Sequence, residues 1–451
     1  MRQSEAVHDR LADLRGLNRY LFLNILADSI PWKLAFPLIA AFFAAAAAPT
    51  FSHDVAPLLY KHCADCHHSG GVAPFALLTY EDAKRRAALI ATVTSKRYMP
   101  PWLPSAPRFQ HEQKLTDAAI GILRAWAAGG APEGNSRETP SAPQFHDGWS
   151  LGKPDIETAM LHEFAVPADG PDLYQCFVIP SPSPRARYLH ALDIRPGNPR
   201  VVHHAILFQD TTHTARQRDT GNGYTCFGTP GFLPARGLGG WTPGTQPVVN
   251  PEDISETLHG GADLVLQVHY HPSGRPEIDR TRVALYFTDT VPKRRLMDIP
   301  LTSNRIDIPA GERAYKVTDH FTLPTDVDVL GIIPHAHYVC RSMYGYAVLP
   351  DGTRRTLLRI SEWNFDWQQQ YRYPAPVRLP EGTIVEMEFT YDNSAENPRN
   401  PNHPPARVVY GPGSSDEMAG LHLQVVALDE DGAEELSQAL WGKMMRSRVG
   451  R

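Results

Sequence analysis

The sequence predicts a multidomain chain: a small all-α domain followed by two all-β, antiparallel sandwich domains of jelly-roll-like form. Three observations lead there. The chain has 451 residues, more than a single core uses. It carries 41 prolines, which disfavour a helical bundle and suit short strands joined by turns. The apolar period also changes from helical to alternating beyond a spacer rich in turn formers. The resulting boundaries are 1–50 for a signal or anchor, 51–131 for the helical domain, 132–147 for a linker, 148–297 and 298–430 for the sandwiches, and 431–451 for a tail.

Taken in order, Lys33 precedes an apolar run from Leu34 to Pro49 that ends in alanines. A basic flank, a short apolar stretch and small residues describe a secretory signal; the run falls short of the ~20 residues of a spanning helix. A second apolar stretch, Tyr20 to Ala27, leaves an uncleaved anchor as the alternative. The expected location is therefore periplasmic or secreted, with membrane contact at most through this segment. In the helical region Thr116 and Asp117 open an apolar pattern through Ile120, Leu123 and Trp126, and Gly129 and Gly130 close it. The linker is built of Pro, Gly, Ser and charged residues. Beyond it, Val385, Met387, Phe389 and Tyr391 alternate with Glu386, Glu388 and Thr390, and Leu264, Leu266, Val268 and Tyr270 form a similar row. Gly432 to Met445 reads as a terminal helix.

The formal net charge is −5, and no basic block runs long enough to follow a phosphate backbone, which argues against a nucleic-acid partner. Twenty histidines stand beside five cysteines, and imidazole is a ligand for copper, iron and zinc.

Cys63-Ala64-Asp65-Cys66-His67 is a C-x-x-C-H motif. Its two thiols can add to haem vinyl groups while the adjacent imidazole becomes an axial iron ligand. Met99, in Met99-Pro100-Pro101-Trp102, is the candidate distal ligand, because two prolines hold the following chain extended. His62 and His68 are the alternatives; core packing is the ordinary use of a lone methionine. On CADCH, MPPW and the Trp126 helix, residues 51–130 resemble a small class I-like cytochrome c. The resemblance implies one covalently bound haem c and an external electron donor.

Three histidine clusters follow. His203 and His204 are neighbours in an apolar strand, so both rings reach one ion only if the strand bulges or ends there. His269 and His271 form an H-x-H pair, as do His335 and His337, and such a pair lies on one face of a strand. Met418 sits in a Gly/Ser-rich turn before a new apolar run. Each alone has a structural explanation in hydrogen bonding or packing; the ordered set points to metal.

The strings DLYQC at Asp172, VHHAILF at Val202, LVLQVHYH at Leu264, PHAH at Pro334 and SSDEM at Ser414 resemble the copper type II, ascorbate-dependent monooxygenases, from about Gly148 to Asp429. That family includes peptidylglycine α-hydroxylating and dopamine β-monooxygenases. The resemblance implies two copper ions. His203, His204 and His269 correspond to the copper that passes electrons; His335, His337 and Met418 to the copper that binds dioxygen and substrate. His271 is implied as a nearby or alternative ligand, and Cys176 and Cys226 as a disulfide, which an exported chain keeps. Cys340 remains, a structural thiol that faces the way of His335 and His337 if their strand continues.

The expected function is thus a copper-dependent monooxygenase that hydroxylates a C–H bond of a small organic substrate with O2, its electrons passing through the fused haem to the three-histidine copper. The chain departs from the peptide-amidating members at Ile333, where they carry an arginine for the peptide carboxylate, and after the methionine turn, where a tyrosine and an asparagine also help in those members and this chain has Gly420 and His422. A small apolar or phenolic substrate suits these positions better. The competing class is a periplasmic electron-transfer or copper-binding protein without oxygenase activity, which has no use for Met418. A surface-binding double sandwich leaves the histidines unexplained.

Overall fold

In the computed structural model, residues 48–145, 148–232 and 236–449 are described. The signal or anchor run up to residue 47 lies outside them. Among the described residues no helix is long and apolar enough to cross a membrane.

Residues 156–288 form two antiparallel sheets. One is five-stranded, in the order Tyr224–Thr225, Leu173–Ile179, Asp263–Tyr270, Val202–Asp210 and Arg236–Trp241; the other is four-stranded, in the order Ile156–Ala159, Arg282–Thr288, Arg187–Arg195 and Glu256–Leu258. The alternating row of Leu264, Leu266, Val268 and Tyr270 meets Leu189, Ile194, Val283 and Leu285 in one core. The opposite face of the same strand is also covered. Val265 packs there with the Cys176–Cys226 disulfide, so every residue of Asp263–Tyr270 is buried. That disulfide joins residues 50 apart in sequence.

Residues 296–427 repeat the arrangement. A four-stranded sheet runs Leu296–Ser303, Ala419–Ala427, Val327–His335 and Tyr371–Leu379, and a five-stranded one runs Pro104–Ala106, Arg354–Ile360, Cys340–Val348, Ile384–Tyr391 and Tyr315–Thr322. Val385, Met387, Phe389 and Tyr391 enter the shared core with Leu421, Leu423, Val327 and Val329. Glu430–Val449 is a helix that buries Leu436 against it and holds the Asp319 carboxylate with Lys443.

The N-terminal part differs from the expectation of an all-α cytochrome domain. The chain is mostly β-sheet, and the helices here are short: Ala56–His62, Tyr80–Lys84, Ala87–Ser95 and Asp117–Ala128. The last starts where its sequence says, Thr116 Oγ1 accepting from Ala119 N at 3.1 Å, and buries Trp126. Between these helices, however, Pro104–Ala106 is a strand added to the edge of a β-sheet, Pro104 opposite Ile360. Gln110 N donates to Arg372 O at 2.8 Å, and Phe109 belongs to the core of the C-terminal sheets. The helices bury only a small apolar cluster of their own. The prolines that end the helical period free backbone groups, and an open sheet edge satisfies them. The linker is tied down as well: Phe51 N and Ser52 N donate to Pro132 O and Glu133 O at 2.9 Å.

Candidate metal centre

His203 and His204 reach the same side because the strand bulges. His269 stands opposite His204, but Tyr270 stands opposite Val202, leaving His203 as the extra residue. The Nδ1 atoms of His203, His204 and His269 then converge, 3.2 Å apart for His203–His269 and 3.4 Å for the other two pairs. A triangle of those sides has its centre about 1.9 Å from each corner, close to the roughly 2.0–2.1 Å of a metal–imidazole bond. Three nitrogen lone pairs held this close repel one another, and a cation between them removes the repulsion. The donor set fits a metal ion.

Asp172 sets the geometry of His269. Its buried carboxylate accepts from His269 Nε2 at 3.1 Å and from His271 Nδ1 at 2.7 Å. A proton fixed on Nε2 leaves Nδ1 of His269 as the lone pair that faces the other two rings. Burial tends to raise the Asp172 pKa, but the bonds and charges of His269 and His271 hold it well below the usual range. His271 itself is half exposed and is not one of the three converging imidazoles. Tyr174 stacks on the His269 ring at 4.1 Å. Burial, reinforced by the neighbouring imidazoles, pushes His203 down to about 3 and His204 well below the ordinary histidine value, so both are neutral donors at neutral pH.

The second set uses the opposite tautomer. His335 ends the Val327–His335 strand, and its Nδ1 is bonded to Gln368 Oε1 at 2.5 Å. His337 lies in the following turn, its Nδ1 bonded to Asp416 O at 3.2 Å. Both rings therefore offer Nε2. That of His337 is buried without a hydrogen-bond partner, the state of a ligand atom waiting for an ion. The rings lie 5.3 Å apart at 89°. Burial pushes His335 down to about 4 and His337 to about 3.

Met418 immediately precedes the Ala419–Ala427 strand, in which Gly420 stands opposite His335. That pairing ends at His335, so Met418 and His337 both lie just beyond it. Buried Glu417 ties the two segments together, accepting from His337 N and, at 2.8 Å, from Met418 N.

The two sets are neighbours: the ring centres of His204 and His335 are 6.3 Å apart. Phe365 wedges beside them, stacked on His203 at 4.4 Å and edge-on to His337 at 5.5 Å. Its loop also supplies Gln368 and Trp363, whose Nε1 donates to His337 O at 3.1 Å. Phe365 and Gln368 were not legible beforehand, since Ser361–Gln370 has no period; Asp172 lay inside a quoted string without its role being evident. For Cys340, a buried thiol, the condition of a continuing strand is not met. The His335 strand ends, a new strand starts at Cys340, and the thiol lies 3.9 Å from the Ser342 and Thr390 carbonyls.

In the C-x-x-C-H segment, His67 N donates to Cys63 O at 2.9 Å, closing one turn that gathers Cys63, Cys66 and His67. Both cysteines are free thiols; burial pushes Cys63 up to about 12 and Cys66 to about 11. His67 Nδ1 is bonded to Phe75 O at 3.0 Å, leaving Nε2 for an axial bond, so the segment fits a covalent haem. Met99 lies in the turn after Ala87–Ser95, its N–H on Val93 O at 3.2 Å. Of the alternatives, His68 stacks on Phe145 at 3.9 Å, and His62 sits against the Gln113 backbone.

No family model matches the chain, and no curated protein matches it. Among solved structures it is similar to a putative α-L-fucosidase from Bacteroides ovatus, at 9% identity over 66% of this chain and 43% of that one, with a TM-score of 0.16. A subviral particle protein, VP2 of infectious bursal disease virus, is 11% identical over 61% and 72%, with a TM-score of 0.19. The tandem CBM22 domains of Paenibacillus barcinonensis Xyn10C are 8% identical over 62% and 95%, with a TM-score of 0.14. Likenesses this slight carry no argument about fold or function.

Proposed function

We propose that the chain is a copper-dependent monooxygenase that hydroxylates a C–H bond of a small organic substrate with O2. The observation that carries this reading is that three converging Nδ1 atoms lie next to a second imidazole pair, His335 and His337, whose buried neighbour Glu417 also holds the backbone of Met418. When bound, copper supplies one-electron redox chemistry, which zinc does not, and a thioether ligand favours its reduced state.

The protein's own groups hold and insulate these sites. Asp172, Gln368 and the Asp416 carbonyl keep the ring protons on the nitrogens that point away from the metal positions. Glu417 joins the His337 and Met418 segments, so the second donor set moves as a unit. Phe365 fills the space beside His203 and His337 with an apolar ring and keeps bulk water from that side. Cys63, Cys66 and His67 would hold a haem c as the entry point for electrons from an external donor, and the Cys176–Cys226 disulfide suits an exported location.

Metal analysis of protein produced in an exporting, haem-ligating host tests this. Two copper ions and one haem iron per chain are expected, with oxygen uptake stimulated by a C–H compound. Met418→Ile should lose that uptake while the three-histidine site keeps its copper. Zinc in both sites overturns the reading; copper and haem without substrate-stimulated uptake moves the chain to electron transfer.

A further inference from the structure

Between the two pairs of sheets lies a cavity of about 70 Å³, lined among others by His190, Trp241, Asn250, Gln370, Arg372 and Gln424. It is outside both donor sets, but on the sheet face that carries one of them. Arg372, Gly331 and Gln424 form one row across the strands; Ile333 and His422 form the next, and His335 and Gly420 the one after. Four residues at about 3.3 Å each put the Arg372 row roughly 13 Å from the His335 row. Gly331 makes the crossing possible, since a Cβ there would lie 3.0 Å from Gln424 Oε1 and 3.1 Å from Arg372 Cδ. Both side chains lean over it.

One guanidinium, Arg372, shares the cavity wall with two carboxylates, Asp193 and Glu256. Arg372 is partly buried, and its guanidinium donates to the neutral Asn250 Oδ1 at 3.1 Å. It forms no ion pair among the described residues. Neither carboxylate pairs with Arg372: Asp193 is engaged by Ser150 N at 3.3 Å and lies 3.7 Å from Arg195 Nε, and Glu256 has a partner of its own. Burial lowers the Arg372 pKa with no carboxylate acting against it. A second donor position is open: His190 Nδ1 is buried without a hydrogen-bond partner. A guanidinium removed from water without a counterion is costly to keep, and its planar fork matches a carboxylate. A single guanidinium without an ion pair matches a monoanion better than a phosphate dianion.

We propose that this cavity is an anion subsite that takes the carboxylate end of an elongated organic substrate, whose other end lies along Ile333 and His422 toward His335. The subsite stands on the cavity itself; its link to hydroxylation rests on the function proposed above.

Calorimetric titration with acetate, octanoate, decanoate and inorganic phosphate tests it, on the full chain with and without copper. The longer carboxylates should bind tighter than acetate, in both metal states. Arg372→Gln should weaken their binding at least tenfold and leave 1-decanol binding unchanged, with thermal unfolding as the check on folding. Arg372→Lys, which keeps the charge and loses the fork, should fall between. Equal weakening of decanol, phosphate binding as tight as decanoate, or no anion binding at all overturns the subsite. Carboxylate binding that depends on Arg372 but leaves the copper spectrum unchanged for every chain length keeps the subsite and overturns the link to His335.

Discussion

Replacing Asp172 with asparagine tests whether a single carboxylate sets up the three-histidine site. Asp172 is buried and accepts two imidazole N–H bonds, from His269 at 3.1 Å and His271 at 2.7 Å. A carboxamide has only one acceptor oxygen. Whichever imidazole meets the amide NH2 loses its bond, and His271, at the shorter distance, competes for the oxygen. His269 is then driven to the other tautomer, which puts a proton on Nδ1, the atom 3.2 Å from His203 Nδ1 and 3.4 Å from His204 Nδ1. Loss of such a support lowers metal affinity by about 10–100-fold, roughly 1.4–2.7 kcal/mol. Asp172→Ala removes both acceptors and adds an unsatisfied buried N–H, costing about 1–3 kcal/mol of fold stability. Competition with a copper chelator measures the affinity, and denaturant unfolding of the metal-free protein separates the two effects. An unchanged copper affinity in both variants would refute the argument.

The remaining predictions concern the framework. Replacing Cys176 and Cys226 by serine should lower stability by up to about 4 kcal/mol, from closure of a loop of 50 residues; urea unfolding with and without reductant checks it. Phe365→Ala should cost about 3–5 kcal/mol and weaken copper at both donor sets together, since the 3%-exposed ring touches each; a chelator titration that moves only one set counts against the shared wedge. Asp263, fully buried, is bonded to Arg216, His213 and Ser181 N. Burial raises its pKa, but those partners prevail and hold it below the usual carboxylate value. Its contribution is therefore present above about pH 4, where the unfolded carboxylate is ionised, and lost as pH falls through the lower folded value. Asp263→Asn should flatten that acid limb of the stability curve.

Local chemistry was readable before any fold. The Thr116 cap and the Gly129 stop define a helix that is there, because capping bonds span three or four residues. Alternation in Ile384–Tyr391 needs only the pleat of one strand. In Asp263–Tyr270 the same alternation marks one core face, and the fold covers the other face as well. The all-α domain was inferred from a helical reading of about residues 50–130. Periods cannot tell whether an interruption such as Pro104–Ala106 is a loop or the edge strand of someone else's sheet.

By itself the sequence determined which donors exist: imidazoles at 203, 204, 269, 335 and 337, thiols at 63 and 66. Those facts follow from side-chain chemistry alone. Only the tertiary structure decided that one set presents Nδ1 and the other Nε2, that His204 and His335 are neighbours, and that Arg372 crosses Gly331 into a cavity where, among the described residues, it has no ion pair. Each of these depends on groups far apart along the chain, and no local pattern encodes which distant carboxylate, amide or glycine a fold brings alongside.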